Sequence, residues 1–163
     1  MKTLTYDNKV NIIYCIVMLF ALSGILISGY FILTKHTIPE CKAVTKAVNY
    51  TKEGRIETTL LVSVIPFGWK KLNIMLDGQV EQGGEKYTVS RLLIADYEYE
   101  NDLYHIRTRK TIRNPRDNVQ GEEANRVMPG TAKDRFVKIE MINKSNYMFV
   151  DNNSPIFVCT KVR

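Results

Sequence analysis

RIETTLLVSVI, residues Arg55 to Ile65, puts Ile56, Thr58, Leu60, Val62 and Val64 on one side of an extended chain. That period of two belongs to a half-buried β-strand, and the segment stops at Pro66-Phe67-Gly68, a turn. The next stretch repeats the pattern through Leu72, Ile74, Leu76 and Val80, with Asn73, Asp77 and Gln79 facing the other way. Gln82-Gly83-Gly84 then reads as a tight hairpin turn. Tyr87 to Tyr99 and Leu103 to Arg113 form a second, longer hairpin turning near Asn101-Asp102. Val137-Ile139-Met141, Tyr147 to Val150 and Ile156 to Val162 follow, divided by Asn143–Asn146 and Asp151–Pro155. This makes seven strands. Ala43 to Tyr50 makes an eighth if it is extended, although its Ala and Lys suit a short helix equally well.

Strands joined in order by short turns imply an antiparallel meander, which protects its edges by closing into a barrel or folding into a sandwich. The expected fold is therefore mainly β, a small antiparallel β-barrel-like domain. Asn114 to Asp134 interrupts the pattern with Pro115, Gly121, Pro129 and Gly130, and reads as a surface loop holding a helical turn near Glu122 to Val127.

Upstream the pattern changes completely. IIYCIVMLFALSGILISGYFIL, from Ile12 to Leu33, carries no charge. As a helix it reaches about 33 Å, enough for the roughly 30 Å hydrocarbon core of a bilayer. In lipid it must be helical, because each unsatisfied peptide group costs several kcal/mol. Tyr14 and Tyr30 stand near the two headgroup levels, and Lys9 and Lys35 bracket the run. A signal peptide has a shorter apolar core and a small-residue cleavage site. Gly29-Tyr30-Phe31 and Thr34-Lys35-His36 supply no such site, and no lipobox precedes Cys41. The expected organisation is a short cytoplasmic tail (1–9), a transmembrane helix (10–34), a linker (35–42) and a periplasmic β domain (43–163).

Charge alone points the other way, since Lys35, Lys42, Lys46, Lys52 and Arg55 follow the span. Domains translocate largely regardless of charge, however. Cys41 and Cys159 lie near the two ends of the β domain, and such a pair suits a disulfide made in an oxidising compartment. Two unrelated buried thiols are the alternative. Cys15 lies within the apolar run, where it packs as a small apolar side chain or crosslinks two anchors.

A net charge of +6 over 163 residues is too diffuse for a nucleic-acid binder. There are two histidines, His36 beside the membrane and His105 within a strand, and neither has a Cys or second His at metal-ligand spacing. Hydrolase, P-loop and dinucleotide fingerprints are missing, so neither an enzyme nor a cofactor is expected. Asp96, Glu98 and Glu100 share one strand face opposite His105, Arg107, Arg109 and Arg113, a facing set of acids and bases that favours strand pairing. Carboxylates around an imidazole also make His105, with Asp96 and Glu98, a candidate pH-responsive group. Tyr87, Tyr97, Tyr99 and Tyr104 either pack in the core with their hydroxyls at the rim or line a pocket for a small amphipathic ligand.

The head MKTLTYDNKV, the single span, Cys41 just beyond it and Cys159 in IFVCTKV together resemble a known class. These are the small membrane partners of ToxR-like transcription regulators in enteric bacteria: ToxS, FidL-like proteins and above all the PsaF/MyfF-like proteins of fimbrial operons. The resemblance implies a single-pass inner-membrane protein with a lipocalin-like periplasmic domain, although the lipocalin G-x-W is not matched by the adjacent Gly68-Trp69. It implies a heterodimer with the periplasmic domain of a regulator whose cytoplasmic head binds DNA, the protein itself touching none. In related pairs the two domains jointly form the barrel, and one pair binds bile salt. The implied output is fimbrial or virulence gene expression in response to acidity, temperature or a small amphipathic ligand. A membrane-anchored periplasmic carrier or envelope-assembly factor is the other reading.

Overall fold

A computed structural model describes residues 3–34, 37–52, 54–120, 122–128, 132–151 and 153–162. Lys35, His36, Gly121, Pro129 and Gly130, singled out above, lie outside them. The chain forms two compact units, Met1–Thr37 and Ile38–Arg163.

The first unit is one helix, α1 (Thr3–Thr34). Its Ile12–Ile32 portion has a mean hydropathy of 2.4 and none of it is buried. A helix apolar on every face is at home only in a core or in lipid, and this one is long and apolar enough to cross a bilayer. Ser23 returns its hydroxyl to the Phe20 carbonyl at 2.9 Å, so it brings no unsatisfied donor. Cys15 is an exposed free thiol.

The second unit is an eight-stranded closed antiparallel barrel with strands in sequence order. They are β1 (Cys41–Thr51), β2 (Gly54–Pro66), β3 (Lys71–Gln82), β4 (Glu85–Glu100), β5 (Leu103–Arg113), β6 (Asp134–Met141), β7 (Asn146–Asp151) and β8 (Ser154–Lys161). The ambiguous Ala43–Tyr50 segment is strand, paired along its length with β2. Alternation does what was expected of it: Ile56, Leu60, Val62, Val64, Leu72, Leu76 and Val80 all point into the core. Gly83 and Gly84 make the β3–β4 turn with φ of 61° and 87°, the left-handed pair that a two-residue hairpin needs. Gly78 has a different reason to be glycine. A Cβ there would sit 2.1 Å from the Thr59 carbonyl oxygen, so β2 and β3 approach too closely for any side chain.

Closure is brief. β1 pairs with β2 through eleven positions, but with β8 only at Cys41↔Lys161 and Lys42↔Thr160. The Cys41–Cys159 disulfide, with Cα atoms 5.6 Å apart, fastens the strands at this seam.

Two expectations need correction. The 114–134 segment is not simply a surface loop: Val119, Ala124 and Met128 are each 1% exposed, with the short helix α2 (Glu122–Arg126) between β5 and β6. It is hydrogen-bonded along β4, through Asn114 N–H to the Ser90 carbonyl (3.0 Å) and Asn118 N–H to the Thr88 carbonyl (3.2 Å). Apolar residues without a period gave no sign of this. Arg113, in turn, does not share a face with His105 and Arg107. The β4–β5 register shifts between Ile94 and Ala95, leaving Arg109 as the extra residue and pairing Arg113 with Arg91. A bulge flips every later side chain to the other face.

Candidate functional site

The outer face of the β4–β5 hairpin carries the acids and bases. Arg107 Nη2 lies 2.6 Å from Glu98 Oε2, and Arg109 Nε lies 2.7 Å from Asp96 Oδ2. Both pairs are partly exposed, and such pairs contribute about 0–1 kcal/mol each. His105 is the cross-strand neighbour of Glu98, but its Nε2 meets Asp134 Oδ1 on β6 at 3.2 Å. Its ring stacks on Phe136, centroids 4.3 Å apart. The carboxylate nearest the imidazole therefore comes from a strand that the hairpin reading did not include.

The tyrosines divide. Tyr97 and Tyr104 are buried, whereas Tyr87 and Tyr99 are half-buried against the core. Tyr104 sits 4.9 Å from the Tyr99 ring and 6.1 Å from that of Tyr97. Burial, then the two neighbouring phenols, push the Tyr104 hydroxyl up to about 12. The hydrogen bond that Tyr99 donates to Asp102 (2.8 Å) raises its pKa as well. Tyr99 and Tyr104 therefore stay neutral and present apolar surface with a hydroxyl at the tip.

Beside them is an apolar cavity of about 40 Å³, whose lining includes Val62, Leu72, Ile106, Val137 and Phe149. Ile106 and Val137 are the cross-strand partners of Tyr97 and Tyr104, so the tyrosines border the cavity's wall. It has room for water but is well below the roughly 300 Å³ of the smallest ordinary ligand pockets. Arg135 also lines it. Its Nε is buried with no hydrogen-bond partner among the described residues, while Nη1 lies 3.5 Å from Asp151 Oδ2. Sequence reasoning passed over Arg135, although it shares parity with Val137 and Ile139 and so had to face inward.

A second inward arginine was missed in the same way. Arg91 alternates with Val89 and Leu93, and its Nε and Nη2 donate to Asp117 Oδ2 and Oδ1 at 2.6 and 3.0 Å. Asp117 also accepts the Ser90 N–H (3.1 Å) and lies 3.2 Å from Arg113 Nη2. Burial pushes the Asp117 carboxyl up, but the Arg91 and Ser90 hydrogen bonds and the two guanidinium charges outweigh it, so its pKa lies below the usual carboxylate range. Arg113 additionally donates to the Val119 carbonyl. Two like charges directly opposite on neighbouring strands repel, and Asp117 neutralises that pair from the loop. Among the described residues, no cluster of three His, Cys, Asp or Glu side chains is placed to hold a metal.

Residues 78–159, half of the chain, match the FidL-like putative membrane protein family. The chain belongs to this family. The FidL-like region runs from the middle of β3 to Cys159 in β8. It takes in the Arg91–Asp117 pair, all four tyrosines, His105 and Arg135, whereas Cys41 lies upstream of it. No curated protein matches the chain. Family and apolar helix agree that this FidL-like chain is a single-pass membrane protein.

Proposed function

We propose that this FidL-like protein is a regulatory partner, held in the bacterial inner membrane with its barrel in the periplasm. There it binds and stabilises the periplasmic domain of a ToxR-like membrane transcription regulator. The observation that carries this reading is the seam. β1 continues from Ala43 to Tyr50 beyond its last paired position with β8, with ladder partners among the described residues in β2 alone. A strand side not taken up by its own sheet is a template for a strand from another chain. Val44 and Val158 stand exposed on the two strands of the seam, offering apolar contacts to such a strand.

The orientation is supported by the disulfide, which persists where thiols are oxidised. Cys41 and Cys159 are fully buried in the core as well as bonded to each other. Acidity enters through His105, with Asp134 in contact and Glu98 opposite it on β4, while Asp96 is engaged by Arg109 on the same face. Protonating the imidazole turns the Asp134 contact into an ion pair and adds a charge to a face already holding Arg107 and Arg109. A small amphipathic ligand is the other signal to consider, although the Arg135-lined cavity bordered by Tyr97 and Tyr104, at about 40 Å³, is too small to hold one as it stands. The output is expression of fimbrial or virulence genes.

Co-expression tests the reading. With a ToxR-like regulator encoded beside it, the full-length protein should co-purify from detergent-solubilised membranes and lengthen the regulator's half-life. If the regulator is equally abundant without it and the two never associate, the carrier or envelope-assembly role takes precedence.

A further inference from the structure

The geometry points to a second membrane contact, in which one rim of the barrel rests on the lipid headgroups. This rests on the chain being membrane-tethered and not on any regulator. Cys41, the first residue of β1, pairs with Val64 near the end of β2. The β2–β3 turn, Phe67 to Lys70, therefore lies at the barrel end where the chain arrives from the apolar helix. Cys41 follows Thr34 by seven residues in sequence, at most about 25 Å of extended chain. By the same register, the β6–β7 turn shares that end, since Asn146 pairs with Thr160 and Cys41 with Lys161.

These two turns have an unusual composition for solvent. Trp69 is 64% exposed, with Phe67 beside it, and Lys70 and Lys71 follow. Met141 is 67% exposed, next to exposed Ile142, with Lys144 two residues on. The β2–β3 turn is held firmly: Phe67 N–H donates to the Lys71 carbonyl (3.0 Å), and Tyr97 N–H donates to that of Lys70 (2.9 Å). Gly68 and Lys70 both take positive φ, 61° and 51°, to present the ring between them. The opposite rim offers Thr51, Lys52, Gly83, Gly84 and Asn153 in its turns and exposed Arg116, Arg126 and Lys133 in the β5–β6 connection, so it has charge. Its nearest exposed ring, however, is Tyr50 on β1, and no tryptophan is there.

Tryptophan has an apolar body and a polar N–H, which suits the membrane–water boundary. Lysines beside it have long apolar stems and a charge that anionic headgroups attract. The third turn at this end, Asn101–Asp102, is acidic and engaged with Tyr99, so lipid affinity resides in the other two. Docking would hold the barrel in one attitude on the bilayer and restrict which of its sides a neighbour in the membrane can reach.

Trp69 is the chain's single tryptophan, so its fluorescence reports on this turn alone. The full-length protein would be reconstituted, without any other protein, into vesicles of phosphatidylcholine and phosphatidylglycerol. Bromine on the upper acyl chain should quench Trp69, its emission should shift to shorter wavelength, and aqueous iodide should lose access to it. Phe67→Ser with Lys70→Gln and Lys71→Gln should reverse all three, while an unchanged circular dichroism spectrum shows the barrel intact. Iodide access together with no quenching by brominated lipid would overturn the inference, even if a regulator added later shields the ring. Loss of regulator binding with Trp69 still in lipid would instead count against the proposed function.

Discussion

Arg91 on the inward face of β4 and Asp117 in the β5–β6 connection form a bidentate ion pair with side chains only 5% and 0% exposed. The pair ties the loop to the barrel wall and neutralises the Arg91–Arg113 cross-strand repulsion. Removing one member of a buried pair strands the other charge, which costs more than the pair contributes.

Asp117→Asn should therefore destabilise the barrel by about 3–5 kcal/mol, read as a lower denaturation midpoint. The pH dependence has a definite sign. The folded-state pKa lies below its usual value, so the associated stability is present above the unfolded carboxylate pKa and is lost as pH falls through the folded one. Wild type should weaken on strong acidification, and Asp117→Asn should weaken less steeply. Parallel acid-unfolding curves would remove Asp117 from this role.

Reduction of Cys41–Cys159, or Cys159→Ser, opens a loop spanning 118 residues. The chain-entropy contribution for that length is about 4–5 kcal/mol. With only two paired positions beside it at the seam, the loss should appear as a large drop in urea midpoint when reductant is added. An unchanged midpoint would mean the strands hold without the bond.

Gly78→Ala tests the close approach of β2 and β3. The added methyl would meet Thr59 O at 2.1 Å and Leu60 Cα at 2.9 Å, backbone atoms that cannot swing aside. A cost of about 3 kcal/mol is expected, the upper end for overpacking. Thermal unfolding of the variant would measure it, and a neutral result would show that the two strands can separate locally.

His105→Gln keeps a polar side chain but removes the imidazole. Its contacts, Asp134 at 3.2 Å and Phe136 in a stack, are otherwise left nearly intact. Partner half-life or reporter output should then lose its difference between neutral and mildly acidic medium. A persistent difference places the acid response elsewhere.

Local chemistry was enough to announce most of the architecture. Alternation from Ile56 to Val64, the Gly83-Gly84 turn and the uncharged run after Ile12 each depend on neighbours a few residues away, so they can be read in order along the chain. The cysteine pair was legible for a related reason: two thiols near the ends of a meander meet if its first and last strands do. What stayed hidden was set by distance in sequence. Asp117 reaches Arg91 across 26 residues and Asp134 reaches His105 across 29, and one bulged residue between the partners of Ile94 and Ala95 decides which face Arg113 takes. Val119, Ala124 and Met128 entered the core without any period, because the core they join exists only once the strands have closed. Sequence settled the strands, the turns and the span. Only the closed sheet decided which charges are buried together, since inward and outward are properties of the assembled barrel and not of any single segment.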